Sequence, residues 1–99
     1  MSIYFVCTNP VEGREEEYNH WYDQVHLPEI LAMFPNIVSA KRYTAADASG
    51  THAYSAVYEI EGDAPATIGA IGKAMVSGAL TVSEAVDGAS TVRTVWVER

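Results

Sequence analysis

The sequence has one cysteine, six basic residues against thirteen acidic ones, and no apolar run approaching the ~18–20 residues that a membrane-spanning helix needs. Each shortage excludes a class. A lone thiol, Cys7, cannot form an internal disulfide and, set in the apolar run Ile3 to Cys7, reads as a buried strand residue. That run lacks the charged start and the length of a secretory signal, so a cytoplasmic location is expected. A net charge of -7 and a pI near 4.7, with no basic cluster longer than Lys41-Arg42, argue against nucleic acid and anionic membrane as partners. There is no glycine-rich phosphate loop and no Ser-His-Asp or Cys-His pattern tied to a recognisable turn. His20 and His26 do not share a helical face, so neither a metal nor any other cofactor is expected.

What the chain does have is concentrated in Tyr18-Asn19-His20-Trp21-Tyr22-Asp23-Gln24-Val25-His26-Leu27-Pro28-Glu29. At about 100° per residue, Tyr18, Trp21, Tyr22, Val25 and His26 fall within roughly 140° of one helical face, while Glu16, Glu17, His20, Asp23 and Gln24 take the solvated side. Pro28 has no N–H for the carbonyl of Gln24 and disfavours α geometry at Leu27. The helix is therefore expected to kink or restart there, with His26 at the irregularity and able to point into a pocket.

Around this segment the periodicity predicts alternating elements. Ser2 to Thr8 reads as a strand closed by Asn9-Pro10 and Gly13. Arg14 to about Met33 reads as the helix, opened by Glu15-Glu16-Glu17 and ending before Pro35. Asn36 to Ala45 and His52 to Glu61 form an antiparallel hairpin in which Tyr54, Ala56, Tyr58 and Ile60 share a face. Asp63 caps a second helix with Pro65 in its first turn; its Gly69 and Gly72 imply close packing on the sheet or space for a ligand. Thr81-Val82-Ser83-Glu84 has capping-box spacing and predicts a short helical turn, and Ser90 to Glu98 returns to strand.

The order β-α-β-β-α-β predicts a ferredoxin-like α+β fold as one domain over residues 1–99, with two helices on one face of a four-stranded antiparallel sheet. The second sheet face would be apolar and uncovered, which predicts a homodimer. The motifs Glu17-x-Asn19-x-Trp21-Tyr22-x3-His26-Leu27-Pro28, Phe34-Pro35-Asn36-Ile37, Ala40-x-Arg42-Tyr43 and Tyr58-Glu59-x-Glu61-Gly62 resemble the small EthD-like members of the dimeric α/β-barrel superfamily. One departure is Asn36, where the family pattern has glycine; asparagine also tolerates left-handed backbone. The resemblance implies a dimeric α/β barrel but does not select among the superfamily's cyclases, isomerases, dehydratases and cofactor-free or haem-dependent oxygenases, or its members without activity.

The residues themselves point to a small hydrophobic or aromatic ligand and to proton transfer. His26, one turn from Tyr22, is the first choice for a general acid or base acting on a carbon acid or enol; alternatively it only caps the backbone freed at Pro28. Asn19 would orient a substrate oxygen or bond the loop at Asn9-Pro10. Tyr22 is the catalytic partner of His26, and Tyr18 and Trp21 would contact the substrate; alternatively all three are core aromatics. Arg42, on a half-apolar strand, needs an anion: Glu59 or Glu61 across the hairpin, or a substrate oxyanion. His20 and His52 read as surface residues. The expected function is cofactor-independent isomerisation, cyclisation, dehydration or another lyase reaction, with a monooxygenase or a non-catalytic binding protein as alternatives.

Overall fold

Alternation of side chains along the first strand sets the architecture. In β1 (Ser2–Thr8), Ser2, Tyr4, Val6 and Thr8 are buried while Ile3, Phe5 and Cys7 turn the other way. The computed structural model describes all 99 residues and places β1 at the centre of a sheet with order β2-β3-β1-β4, every pairing antiparallel. β2 is Ile37–Thr44, β3 Tyr54–Ile60 and β4 Val92–Val97. With helical segments after β1 and β3, this is the ferredoxin-like α+β fold.

Between β1 and β2 the chain is helical from Glu15 to Met33, but in three parts: α1 (Glu15–Trp21), a π-helical turn (Tyr22–His26) and α2 (Leu27–Met33). The α-helix restarts at Leu27 with His26 closing the irregular turn, as expected, but the backbone at Leu27 does not leave helical geometry. Leu27 stays right-handed helical at φ -62, ψ -43, and its N–H reaches back five residues to the carbonyl of Tyr22. Pro28 then occupies the first turn of α2, where a missing N–H is best tolerated. The irregularity is thus absorbed as one wide turn upstream of the proline, with His26 at its end.

Asp63 caps α3 (Ala64–Ser77) by accepting the Ala66 N–H at 3.0 Å, and Gly78 ends it at φ 84, a conformation that favours glycine. Ala64, Thr67, Ile71 and Ala74 turn inward. Gly69 and Gly72 instead lie on the outer side of the helix, where a methyl group in place of either hydrogen would meet nothing within 4 Å, so they neither pack on the sheet nor leave room for a ligand. No helix starts at Thr81. Its N–H and hydroxyl are both taken by the Glu29 carboxylate, at 2.8 and 3.0 Å, so the capping box cannot close on Glu84. Asn36 is not left-handed either; its amide donates to the Glu61 carbonyl and to Thr67 Oγ1, tying the turn before β2 to α3.

The core lies between the sheet and the helices, with Tyr18, Ile30, Ile60 and Leu80 fully buried. On the opposite sheet face Tyr43, Val92 and Trp96 are exposed, and Cys7, expected to be buried, is half-covered beside Ser55 and Val92. No helix is long and apolar enough to cross a membrane.

Leu80 anchors the long connection from α3 to β4, its N–H donating to the Ala74 carbonyl at 3.0 Å. Leu80→Ala should therefore lower the unfolding free energy by about 2–5 kcal/mol, read as a lower urea midpoint at unchanged slope. A loss within experimental error would show that the connection is not part of the core.

Candidate functional site

The π turn, the inner sheet face and the connection to β4 enclose a cavity of about 200 Å³. Tyr4, Val6 and Thr8 of β1, Tyr58 of β3 and Arg93 of β4 form its floor. Trp21, Tyr22, His26 and Ile30 form one wall, Ile71 and Met75 of α3 another, and Val82, Ser83, Val86, Gly88 and Thr91 close the connection side. That connection is held down at two points: Trp21 Nε1 donates to the Thr81 carbonyl at 3.1 Å, and Glu29 binds the same residue.

Three rings define the deep end. His26 is stacked on Trp21 with centroids 4.4 Å apart and meets Tyr22 edge-on at 5.3 Å. His26 is 5% exposed, and its Nδ1 is buried with no hydrogen-bond partner. It does not cap the backbone at Pro28 through that atom. Burial drives its pKa from 6.5 down to about 4, Glu29 opposing weakly, so the ring is a neutral imidazole at pH 7. Burial likewise pushes the Tyr22 phenol up to about 12 and raises Tyr58 and Tyr4. The wall is uncharged at neutral pH, Arg93 excepted.

The structure divides the remaining sequence candidates between this cavity and a layer outside it. Trp21, Tyr22 and His26 line the cavity; Tyr18, Asn19 and Arg42 do not. Arg42 projects from β2 beneath the helix, and its partner is neither Glu59 nor Glu61. Nη1 meets Asp23 at 2.9 Å, Nη2 donates to Asn19 Oδ1 at 2.8 Å, and the guanidinium lies 4.6–5.2 Å from the ring centres of Tyr22, Tyr54 and Tyr18. Glu59 instead accepts a bond from Ser39. The reason is the face: Arg42 lies opposite Ala56, on the helix side of the sheet, while Glu59 pairs with Ile3 on the other side.

Asn19 therefore neither lines this cavity nor bonds the Asn9-Pro10 loop; it accepts from Arg42 and donates to the Tyr54 hydroxyl at 3.2 Å. Tyr18 is fully buried with its hydroxyl bonded to Thr8 Oγ1. His20 is exposed, but His52 is not a free surface residue: its Nε2 lies 2.6 Å from the Ser90 carbonyl, joining the hairpin loop to the entry of β4.

No family model matches the sequence, and neither does any curated protein. Solved structures do match. A protein from Shewanella loihica PV-4 assigned by inference as a monooxygenase is 14% identical with a TM-score of 0.67, over 99% of this chain and 94% of that one. A mutant of MhuD with two manganese protoporphyrin IX groups per active site gives the same identity, coverage and score. An EthD family protein from Bacillus halodurans C-125 is 11% identical with a TM-score of 0.64, both chains being covered completely. The chain has the fold of the EthD-like proteins. At these identities the likeness is one of fold.

Sequence reasoning missed Tyr4, Thr8, Tyr58, Met75 and Arg93 as cavity residues. The available signal was period two: Tyr4, Val6 and Thr8 share a face of β1, and Arg93, opposite Val6, lies on that same face. An arginine amid Val92, Val95 and Val97 is, like Arg42, a cation on a half-apolar strand.

Burial of His26 has a consequence for stability. Its imidazole accepts a proton near pH 6.5 in the unfolded chain and only near 4 in the folded one. The fold thus carries no penalty above pH 6.5, and one that grows as pH falls towards 4, reaching ~2 kcal/mol at pH 5. Between pH 7.5 and pH 5 the wild type should lose that much more unfolding free energy than His26→Gln. Parallel pH profiles of the two proteins would show that the ring is not buried as neutral imidazole.

Proposed function

We propose that the chain is a homodimeric, cofactor-independent enzyme that moves protons on a small cyclic or aromatic compound, with His26 as the base and Tyr22 as the hydroxyl donor. The observation that carries this is His26: a buried, neutral imidazole that lines an apolar cavity beside a phenol and has no hydrogen-bond partner at Nδ1. A buried polar atom without a partner carries a cost of about 1–3 kcal/mol, and a catalytic role is one of the reasons a native fold retains such an atom.

In the step this supports, neutral His26 takes a proton from carbon next to a ligand carbonyl, leaving an enolate and an imidazolium. Tyr22, held protonated, donates a hydrogen bond to the enolate oxygen. The imidazolium returns the proton to a different carbon, giving isomerisation, or to a departing hydroxyl, giving dehydration. A conjugate acid near pH 4 is a weak base, which suits acidic carbon such as that between two carbonyls. Trp21 fixes the imidazole plane. Tyr18, Asn19 and Arg42 support Tyr22 from behind, Arg42 through its ring face, a contact worth about 0.5–2 kcal/mol.

The alternative of a cofactor-free or haem-dependent monooxygenase draws on two fold neighbours, one assigned by inference as a monooxygenase and one holding manganese protoporphyrin IX. A cavity of ~150 Å³ accommodates one benzene ring, and at about 200 Å³ this one matches a single substituted ring, which supports the cofactor-free reading. Oxygen chemistry without a cofactor would begin with the same deprotonation at His26, and oxygen uptake with the same compounds separates it from isomerisation. A binding protein without activity would take up ligand and exchange no protons.

The test is hydrogen–deuterium exchange in D2O, followed by NMR on a panel of single-ring 1,3-diketones and unsaturated lactones. Wild type should catalyse exchange of at least one of them with a rate limb near pH 4, and His26→Gln should slow it about 100-fold or more. Equal exchange by both proteins, or none by either, would remove the catalytic assignment.

The outer sheet face supports the homodimer reading, since Trp96 is 63% and Tyr43 53% exposed in the single chain. Sedimentation at micromolar concentration should give a dimer, and Trp96→Lys should shift it towards monomer. A compact monomer for wild type throughout that range would overturn this assembly.

A further inference from the structure

We infer that the cavity is built for an anionic ligand: a single-ring compound carrying a carboxylate or equivalent oxyanion, with that group seated on Arg93. The inference rests on the cavity being the ligand site proposed above, and it names the class of ligand.

Charge distribution carries it. The chain has more than twice as many acidic residues as basic ones, yet the cavity wall contains no aspartate or glutamate and one cation, Arg93. The ion pairs of the protein are Arg14 with Glu17 and Arg42 with Asp23, so Arg93 has no carboxylate of its own. It is not turned away from the site. It sits opposite Val6 on the helix-covered face, and its positive charge acts on the Tyr4 and Tyr22 phenols, counteracting in part the upward push of burial. An arginine with no internal anion at the edge of an apolar enclosure is what a ligand oxyanion requires, since the guanidinium can offer two parallel N–H donors to a carboxylate.

Position adds to this. His26 is buried and Arg93 exposed, so within one enclosure the base lies deep and the cation at the rim. A ligand placing its ring against Trp21 and Tyr58 would leave its charged group at the rim, where solvent reduces the cost of desolvating it. The volume, about 200 Å³, limits the ring to one. A negative ligand would also favour the protonated form of His26 once it has taken a proton, coupling binding at the rim to chemistry at the deep end.

Benzoate and its neutral counterpart benzamide test this by calorimetric titration at pH 7 and low salt, with the His26 and Trp21 ring resonances reporting occupancy of the cavity. Wild type should bind benzoate at least tenfold more tightly than benzamide, and added salt should narrow the difference. Arg93→Gln should weaken benzoate about tenfold and leave benzamide within twofold; Arg14→Gln, which removes the same charge far from the cavity, should match wild type. Equal affinities in wild type, a preference that survives Arg93→Gln, or no binding of either compound would each overturn the inference. Benzoate selectivity through Arg93 in a protein that exchanges no carbon-bound proton removes the catalytic reading alone. Exchange of neutral diketones without benzoate preference removes this one alone.

Discussion

One wide turn of helix governs the site. In a continuous α-helix from Glu15 to Met33, the N–H of Leu27 would bond Asp23; here it reaches Tyr22 instead, and one extra residue is fitted into the turn. That adjustment keeps Trp21, Tyr22 and His26 all buried on the cavity side, leaves Val25 only partly covered and sends Asp23 outward to Arg42. Pro28, having no N–H, makes no demand on the carbonyls behind it, so the turn can widen just before it without losing a donor. The stacked Trp21–His26 pair and the edge-on Tyr22 contact follow from this placement.

Two arginines then do different work on the same side of the sheet. Arg42 is enclosed by Tyr18, Tyr22 and Tyr54, with Asp23 and Asn19 holding its ends and only Nε lacking a partner. It is satisfied inside the chain and braces the back of the helix. Arg93 has no such enclosure. Between them lies a set of phenols kept protonated by burial and an imidazole kept neutral by the same cause, so the only formal charge lining the cavity is at its rim.

Much of the fold was legible from period alone. Alternation in Ser2 to Thr8 and in Tyr54 to Ile60 marks strands because side chains two apart share a face, and Asp63 with Pro65 marks a helix start because both suit its unsatisfied N–H groups. The site was legible in part. Trp21, Tyr22 and His26 stand together in sequence and in space, since helical neighbours at three to five residues meet. Local rules failed where a distant residue competed for the same atoms. Thr81 gives its N–H and hydroxyl to Glu29, so its capping pattern goes unused. Asn36 spends its amide on Glu61 and Thr67 and never needs left-handed backbone.

By itself the sequence determined the order of elements, the aromatic face of the first helix and the presence of an irregularity close to His26, because those depend on residue spacing and on the missing N–H of one proline. Tertiary structure decided the rest: that Arg42 is answered by Asp23 and not by Glu59, that Tyr4, Tyr58 and Arg93 share a cavity with His26, and that the imidazole is neutral. Ion-pair choice, enclosure and protonation all depend on which strands become neighbours and what water they exclude, and β1 and β4 are brought side by side only when some 80 intervening residues have folded.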